Sequence, residues 1–429
     1  MASAKKLAGM QKMKHTLIIS FDLIRQGELN QSFAIGSLLA FAKQDKTYGE
    51  DFIIHNISIN SFDTPINFES DLFEKYFKSF NFSEIDTVAI SAYIWNEHLI
   101  NPLIQFLRQI GFQNKIVLGG YQITYGETAK LQREYPDCDI FVSGYAELGL
   151  LEAIKSRKPS QKLFINKNVD FAQLPSAYLT NELTIPIHQS MVRMETKRGC
   201  PYRCTFCAHR DLTNNKVHML HLDKVFQELQ LFRSKEVKKV NVLDPVFNAG
   251  NHYLQVLKEI DRLHFNETVF TFQTRFELIK GNNGEQFISL AEKTRSHLEF
   301  GIQTVIPEEY EIVNRPNKPD HIAKLFNDLN HRGISYEVSL IYGLPNQTVD
   351  SFKKSIGFLR SNGCTKMTAY PLMLLKGTEL YHQKNKWQMK EEPLGEFDIP
   401  VVTSSSTFDR DDWYRMGEIA NTLATNDRI

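Results

Sequence analysis

Cys200, Cys204 and Cys207 stand in the run Lys-Arg-Gly-Cys-Pro-Tyr-Arg-Cys-Thr-Phe-Cys, a Cx3CxxC spacing. Three thiolates within eight residues meet at one centre only if the backbone curls around it. Thiolates are the ligands of iron–sulfur clusters and of zinc. Three ligands leave one iron of a four-iron cluster without a protein donor, and such an iron is open to a small molecule. Structural zinc asks for four ligands, often as two CxxC pairs. His209 is the nearest fourth donor, and it follows Cys207 too closely for an unstrained tetrahedron. The spacing favours the cluster, with a zinc-held loop as the competing reading and His209 as an ordinary loop residue.

The remaining two of the five cysteines, Cys138 and Cys364, lie in apolar surroundings and read as buried structural thiols. An odd count with three clustered thiols argues against a disulfide scaffold and for a reducing, cytoplasmic setting. The 50 basic and 50 acidic residues balance, so no general attraction to nucleic acid or anionic membrane is expected. The local exception is a basic group, Lys197, Arg198 and Arg203. No apolar run approaches the roughly 18 residues that span a bilayer. Residues 1–14 are basic without a following apolar core, and read as a tail and not as a secretory signal.

Strand-like and helix-like segments alternate almost throughout the 429 residues, which predicts parallel sheets covered by helices. Strands are expected at His15–Ser20, Phe52–Ile57, Thr87–Ser91, Lys115–Gly119 and Asp139–Ser143, with helices at Gln31–Ala42, His98–Ile110 and Glu127–Tyr135. That pattern predicts a flavodoxin-like (Rossmann-type) domain over 15–155, with ligands outside the carboxyl ends of its strands. Residues 156–190, with Pro159, Pro175 and Pro186, read as a surface linker. A second series has strands at Val192–Thr196, Lys239–Leu243, Val269–Phe272, Leu298–Gln303, Tyr336–Ile341 and Lys366–Pro371. Six βα units over 191–375 suit a partial barrel, and place the cysteines on the loop after its first strand. Residues 376–429 form a C-terminal segment expected to cap the barrel, in which Trp387, Phe397, Phe408 and Trp413 read as core anchors.

The Cx3CxxC with Phe206 before the third cysteine resembles the signature of the radical S-adenosylmethionine (SAM) superfamily. Further matches follow successive strands: Asp244-Pro245-Val246-Phe247-Asn248, Gln273 and Arg275, Glu299-Phe300-Gly301-Ile302-Gln303, Arg315, Gly343-Leu344-Pro345 and Gly377-Thr378-Glu379-Leu380. The resemblance implies a partial (β/α)6 barrel in which Cys200, Cys204 and Cys207 hold a [4Fe-4S] cluster. It also implies that Phe206, Asp244, Pro245, Asn248, Gln273, Arg275, Glu299, Gln303 and Arg315 surround SAM, which is cleaved reductively to a 5′-deoxyadenosyl radical.

The first domain resembles the cobalamin-binding domains that precede many radical SAM domains. The carriers are Ser91-Ala92-Tyr93-Ile94-Trp95-Asn96, Leu118-Gly119-Gly120-Tyr121-Gln122-Ile123-Thr124 and Phe141-Val142-Ser143-Gly144-Tyr145-Ala146-Glu147. Ser91, Tyr93, Trp95, Gly119, Gly120, Thr124, Gly144 and Glu147 are the contacts it implies. The Asp-x-His-x-x-Gly motif that supplies a histidine to cobalt in some cobalamin proteins is absent from the sequence. The implied activity is methylation or rearrangement of an unactivated centre in a small molecule or peptide, with an electron donor such as flavodoxin or ferredoxin. Two alternatives stand beside it: radical SAM chemistry without cobalamin, the first domain binding substrate, and a non-catalytic zinc- or cluster-stabilised binding protein.

Overall fold

A computed structural model describes residues 12–63, 76–209, 216–265 and 267–424. Most of the expected tail, residues 1–11, lies outside them. The chain divides into two units: residues 1–170, 174–184 and 396–398 in one, and 171–173, 185–395 and 399–429 in the other.

The N-terminal unit is built on strands whose residues are apolar on both faces, as a sheet covered on both sides requires. Its strands are β1 (Lys14–Asp22), β2 (Phe52–Asn60), β3 (Thr87–Ser91), β4 (Lys115–Gly119), β5 (Ile140–Ser143) and β6 (Leu163–Asn166). They pair in parallel in the order β2-β1-β3-β4-β5-β6. Alternate residues feed two cores. Leu17, Ile19, Val88, Ile90 and Leu118 pack with Leu99, Leu103 and Leu107 of the helix Glu97–Gln109. Ile18, Ala89, Val117 and Val142 pack with Leu39, Leu151 and Ile154 of the helices Phe33–Ala42 and Ala146–Lys155. Buried Lys115 donates to the carbonyls of Ala153, Ile154 and Ser156, closing the carboxyl end of the second of these helices.

Five strands were expected in this sheet and six are present among the described residues. The added edge strand β6 falls in the stretch read as a linker, because only Ile165 of its four residues is buried and the alternation is weak. Residues 174–184 are likewise no loose tether: Ala177, Tyr178 and Leu183 are buried. Leu183 fills the space that a Cβ at Gly36 would need, at 2.6 Å, and Glu182 pairs with Lys43 at 2.7 Å.

Strand order reverses between β1 and β3, which opens a crevice at their carboxyl ends. At the neighbouring β4 exit, Gly120 adopts φ +101, and a Cβ there would lie 2.6 Å from the Ala92 carbonyl oxygen. Gly119 carries no such constraint, since a Cβ on it would make ordinary contact with Val142. Gly120→Ala is therefore expected to destabilise this unit by about 3 kcal/mol, from backbone strain plus the clash. Denaturant unfolding measures that loss, and Gly119→Ala serves as the milder comparison.

The C-terminal unit winds in one direction. Its strands β7 (Met191–Met194), β8 (Lys197–Arg198), β9 (His218–Met219), β10 (Lys239–Val242), β11 (Val269–Thr274), β12 (His297–Gln303), β13 (Ser335–Tyr342) and β14 (Met367–Pro371) include a parallel sheet of order β14-β13-β12-β11-β10-β7. Helices Leu222–Ser234, Tyr253–Leu263, Gly281–Lys293, Pro319–His331 and Val349–Ser361 connect successive strands. Strand ends depart from the sequence expectation by one or two residues, the usual fraying. Val192, Val240, Phe270, Leu298, Phe300 and Val338 are buried, whereas Arg193, Asn241, Gln273, Glu299, Glu337 and Ser339 alternate with buried residues and are at least partly exposed. The sheet thus turns an apolar face to its helices and a polar face to the barrel interior.

After β14 come an antiparallel pair, β15 (Lys390–Leu394) and β16 (Ile399–Ser404), and the helix Arg410–Ala424. Val402 donates from β16 to the Leu372 carbonyl at 2.8 Å, just past the carboxyl end of β14. Trp413 and Phe408 are buried, with the Trp413 ring 5.7 Å from Tyr342. No helix among the described residues is long and apolar enough to cross a membrane.

Candidate active site at the strand ends

The chain leaves β7 through Glu195 and Thr196 into β8, which pairs antiparallel with β9. Gly199, at φ +80, turns it into the cysteines. Cys200 and Cys204 are buried and Cys207 is half-buried. Segments that follow other strands pin this loop. The Thr205 amide donates to the Val313 carbonyl at 3.1 Å, the Asn314 amide group donates to Arg203 oxygen at 2.8 Å, and the Leu380 amide donates to Thr205 oxygen at 2.9 Å. Cys200 packs with Val246, Ala249, Tyr202 and Leu278. Burial pushes its thiol up, while the Tyr202 amide, Arg275 and Arg315 pull it down. Phe206 is half-buried.

Lys197 and Asp244 lie beneath the loop, both fully buried, 3.9 Å apart. Asp244 accepts from the amides of Thr196 at 2.8 Å and Lys197 at 3.2 Å, and from the Thr196 hydroxyl. Lys197 donates to the carbonyls of Phe247 at 2.5 Å and Ala249 at 2.7 Å. The basic group expected around Lys197 is therefore not a surface patch: Lys197 is interior, half-buried Arg198 pairs with Glu195 at 2.8 Å, and only Arg203 is exposed. Asp244, one of the residues expected around SAM, spends its carboxylate on the backbone that leads to Cys200.

Asn248 also turns inward. Its side chain accepts from the Arg275 amide at 2.9 Å and donates to the Arg275 carbonyl at 2.8 Å. The Arg275 guanidinium lies over the Tyr202 ring at 3.7 Å, pairs with Glu277 at 2.6 Å and directs Nη1 to the Cys204 sulfur at 3.8 Å. Arg315 directs its own Nη1 to the same sulfur at 3.9 Å. Gln303, at φ +69, occupies a bulge between β12 and β13. A Cβ at Gly301 would meet the Gln303 amide nitrogen at 2.6 Å and Arg315 at 3.7 Å, so the glycine leaves room for both. Gln273, Glu299 and Glu337 stand in register on β11, β12 and β13. Burial and the Glu337 carboxylate push the Glu299 carboxyl up. Pro245 is half-buried at the β10 exit.

In the N-terminal unit, the expected ligand edge is a built surface. Tyr93 and Trp95 stack in parallel at 4.5 Å, and the Trp95 indole donates to the Phe21 carbonyl at 3.0 Å, across the crevice between β1 and β3. Asn96 is buried and holds this loop, accepting from the Tyr93 amide at 2.7 Å and donating to the Ser91 carbonyl at 3.0 Å. The Thr124 hydroxyl bridges the Gly120 carbonyl at 2.9 Å and the Gly144 amide at 3.0 Å. Gly144 has φ +77, and Glu147 is buried in the first turn of the helix that follows. Ser91, Tyr93, Trp95, Gly119, Gly120, Thr124, Gly144 and Glu147 thus gather at or just beyond the carboxyl ends of β3, β4 and β5.

Residues 194–359 match the radical SAM superfamily. That stretch is a radical SAM domain. Radical SAM proteins use a [4Fe-4S] cluster and SAM. Among curated relatives, the cobalamin-dependent radical SAM methyltransferase TokK of Streptomyces tokunonensis is 21% identical over 311 residues, covering 65% of this chain and 45% of TokK. The chain thus spans about half of TokK's length. The ribosomal protein uS12 methylthiotransferase RimO of Dictyoglomus thermophilum is 22% identical over 352 residues, 76% of each chain. Among solved structures, the radical SAM methyltransferase TsrM of Kitasatospora setae, with cobalamin and a [4Fe-4S] cluster bound, superposes with a TM-score of 0.69 at 14% identity, covering 96% of this chain and 89% of TsrM. That likeness establishes a shared fold.

Within the radical SAM domain, several residues that shape the site escape a reading of the sequence. Lys197 resembles an ordinary surface charge until its burial is known. Tyr202 sits inside the cysteine motif and Glu277 two residues beyond Arg275, and that proximity is the only sequence signal either carries.

Proposed function

We propose that this chain is a cobalamin-dependent radical SAM enzyme that methylates an unactivated centre in a small molecule or peptide. The observation that carries the reading is the likeness in fold to TsrM, a cobalamin- and cluster-containing methyltransferase, over 96% of this chain and so well beyond residues 194–359. The donor set fits a cluster. Cys200, Cys204 and Cys207 lie on one pinned loop, and two guanidinium groups reach the Cys204 sulfur. Cys200, Cys204 and Cys207 would hold the cluster; Gln303, Glu299 and Gln273, with half-buried Phe206 and Pro245, would border SAM; and Tyr93, Trp95, Gly120, Thr124 and Gly144 would border cobalamin. When bound, these groups supply a carbon radical from SAM and a methyl group for transfer.

The chain's own part is positional. Lys197 and Asp244 fix the entry to the cysteine loop, Asn248 fixes Arg275, and the polar barrel interior receives the substrate. A flavodoxin or ferredoxin would deliver the electron. Anaerobic reconstitution with iron and sulfide tests the assignment: a brown protein whose paramagnetic signal changes on adding SAM is expected, and stoichiometric zinc without iron would sink it. Expression with cobalamin is expected to yield protein that retains corrinoid. Iron and a SAM response without corrinoid would leave a radical SAM enzyme whose first domain binds substrate. The RimO likeness supports a second outcome, attachment of a methylthio group, which mass spectrometry of the product distinguishes from methylation.

A further inference from the structure

Resting on the reading of Cys204 as a cluster ligand, we propose that Arg275 and Arg315 act on the Cys204 sulfur and raise the reduction potential of the cluster. Both are nearly fully buried, 5% and 8% exposed, and they reach one sulfur from two loops, after β11 and after β12. Little freedom is left to Arg275. Asn248 fixes its backbone on both sides, Tyr202 covers its face, and Glu277 takes Nε and Nη2, which leaves Nη1 for Cys204.

Arg315 is held differently. Its Nε is buried with no hydrogen-bond partner among the described residues, so its charge is spent less on neighbours than that of Arg275. Both side chains resemble SAM contacts in the sequence, yet here each points an N–H at the thiolate. Reduction adds negative charge to a cluster, and hydrogen bonds and positive charge at its sulfurs stabilise the reduced state more than the oxidised one. Burial strengthens that preference, since water screens it little. The two arginines are unequal: Glu277 offsets much of the Arg275 charge, whereas Arg315 acts with less compensation.

This ordering gives the test a sign that a merely structural role would not reproduce. Wild type, Arg275→Gln, Arg315→Gln and Glu277→Gln are reconstituted anaerobically, and the cluster is titrated potentiometrically by its paramagnetic signal without SAM. Iron content is measured in parallel. The potential is expected to fall in both arginine variants, further in Arg315→Gln, and to rise in Glu277→Gln, where the Arg275 charge is unmasked. Unchanged potentials at full iron content would overturn the proposal. So would a fall in Glu277→Gln, which would mark the group as a scaffold. If the arginine variants fail to hold iron, Glu277→Gln still decides by the sign of its shift. A wild-type protein that takes up no iron would overturn the cluster assignment and this role with it.

Discussion

Cys204→Ala is expected to reduce iron incorporation from about four per chain to near zero, with loss of 5′-deoxyadenosine formation and retention of secondary structure. Two guanidinium groups converge on Cys204: Arg275 and Arg315 reach its sulfur at 3.8 and 3.9 Å, and Thr205 beside it is tied to Val313 and Leu380. Removing the sulfur takes away one of three ligands and leaves two buried guanidinium groups facing a methyl group. Cys138→Ala is the matched control. That thiol is buried, pushed up to about 12 chiefly by burial, and donates to the Ile140 carbonyl at 3.2 Å, so it has the character of a structural cysteine. Iron content and circular dichroism on the two variants separate ligation from folding. Full iron in Cys204→Ala would refute the assignment.

The second large effect is expected at Asp244. Asp244→Ala would strand two backbone amides, the Thr196 hydroxyl and the Lys197 ammonium, all in the interior. Removing one partner of a buried ion pair costs about 3–5 kcal/mol, because the other charge is left behind. Adding Lys197→Met to Asp244→Ala removes that stranded charge, and is expected to recover part of the loss. Denaturant unfolding of the two single variants and the double variant measures the coupling. A cost below about 1 kcal/mol for Asp244→Ala would show that the pair carries no such charge penalty. Iron uptake should fall alongside stability, since Thr196 and Lys197 lead directly into the cysteine loop.

Much of the fold is legible in the sequence because its strands carry either an unbroken buried run or a regular alternation of buried and partly exposed residues. The run Leu17 to Phe21 and the alternation from Leu298 to Ile302 are examples. Strand β6 is not legible, since an edge strand with one buried residue carries no period. The segment from Leu174 to Thr184 reads as a tether because its buried residues, Ala177, Tyr178 and Leu183, follow no helical or strand repeat. At the site, the cysteines are legible from spacing alone. Asp244 and Asn248 are found at their strand end by motif, yet the motif cannot say which way a side chain turns. Both turn toward backbone, and the backbone they hold belongs to Thr196, Lys197 and Arg275. Lys197 shows the converse: a residue type that almost always seeks water is fully buried here, since Asp244 and two carbonyls replace that water.

The partners of Cys204 are far away along the chain, 71 residues to Arg275 and 111 to Arg315. Contacts of that range close late in folding, after parallel strands have found their neighbours. A chain emerging from the ribosome therefore presents three cysteines on an open loop before either guanidinium is in place. On the proposed cluster reading, the full surround of Cys204 is available only to iron that arrives after the polypeptide has folded. Iron offered to the folded apoprotein should accordingly be taken up faster than iron offered during refolding.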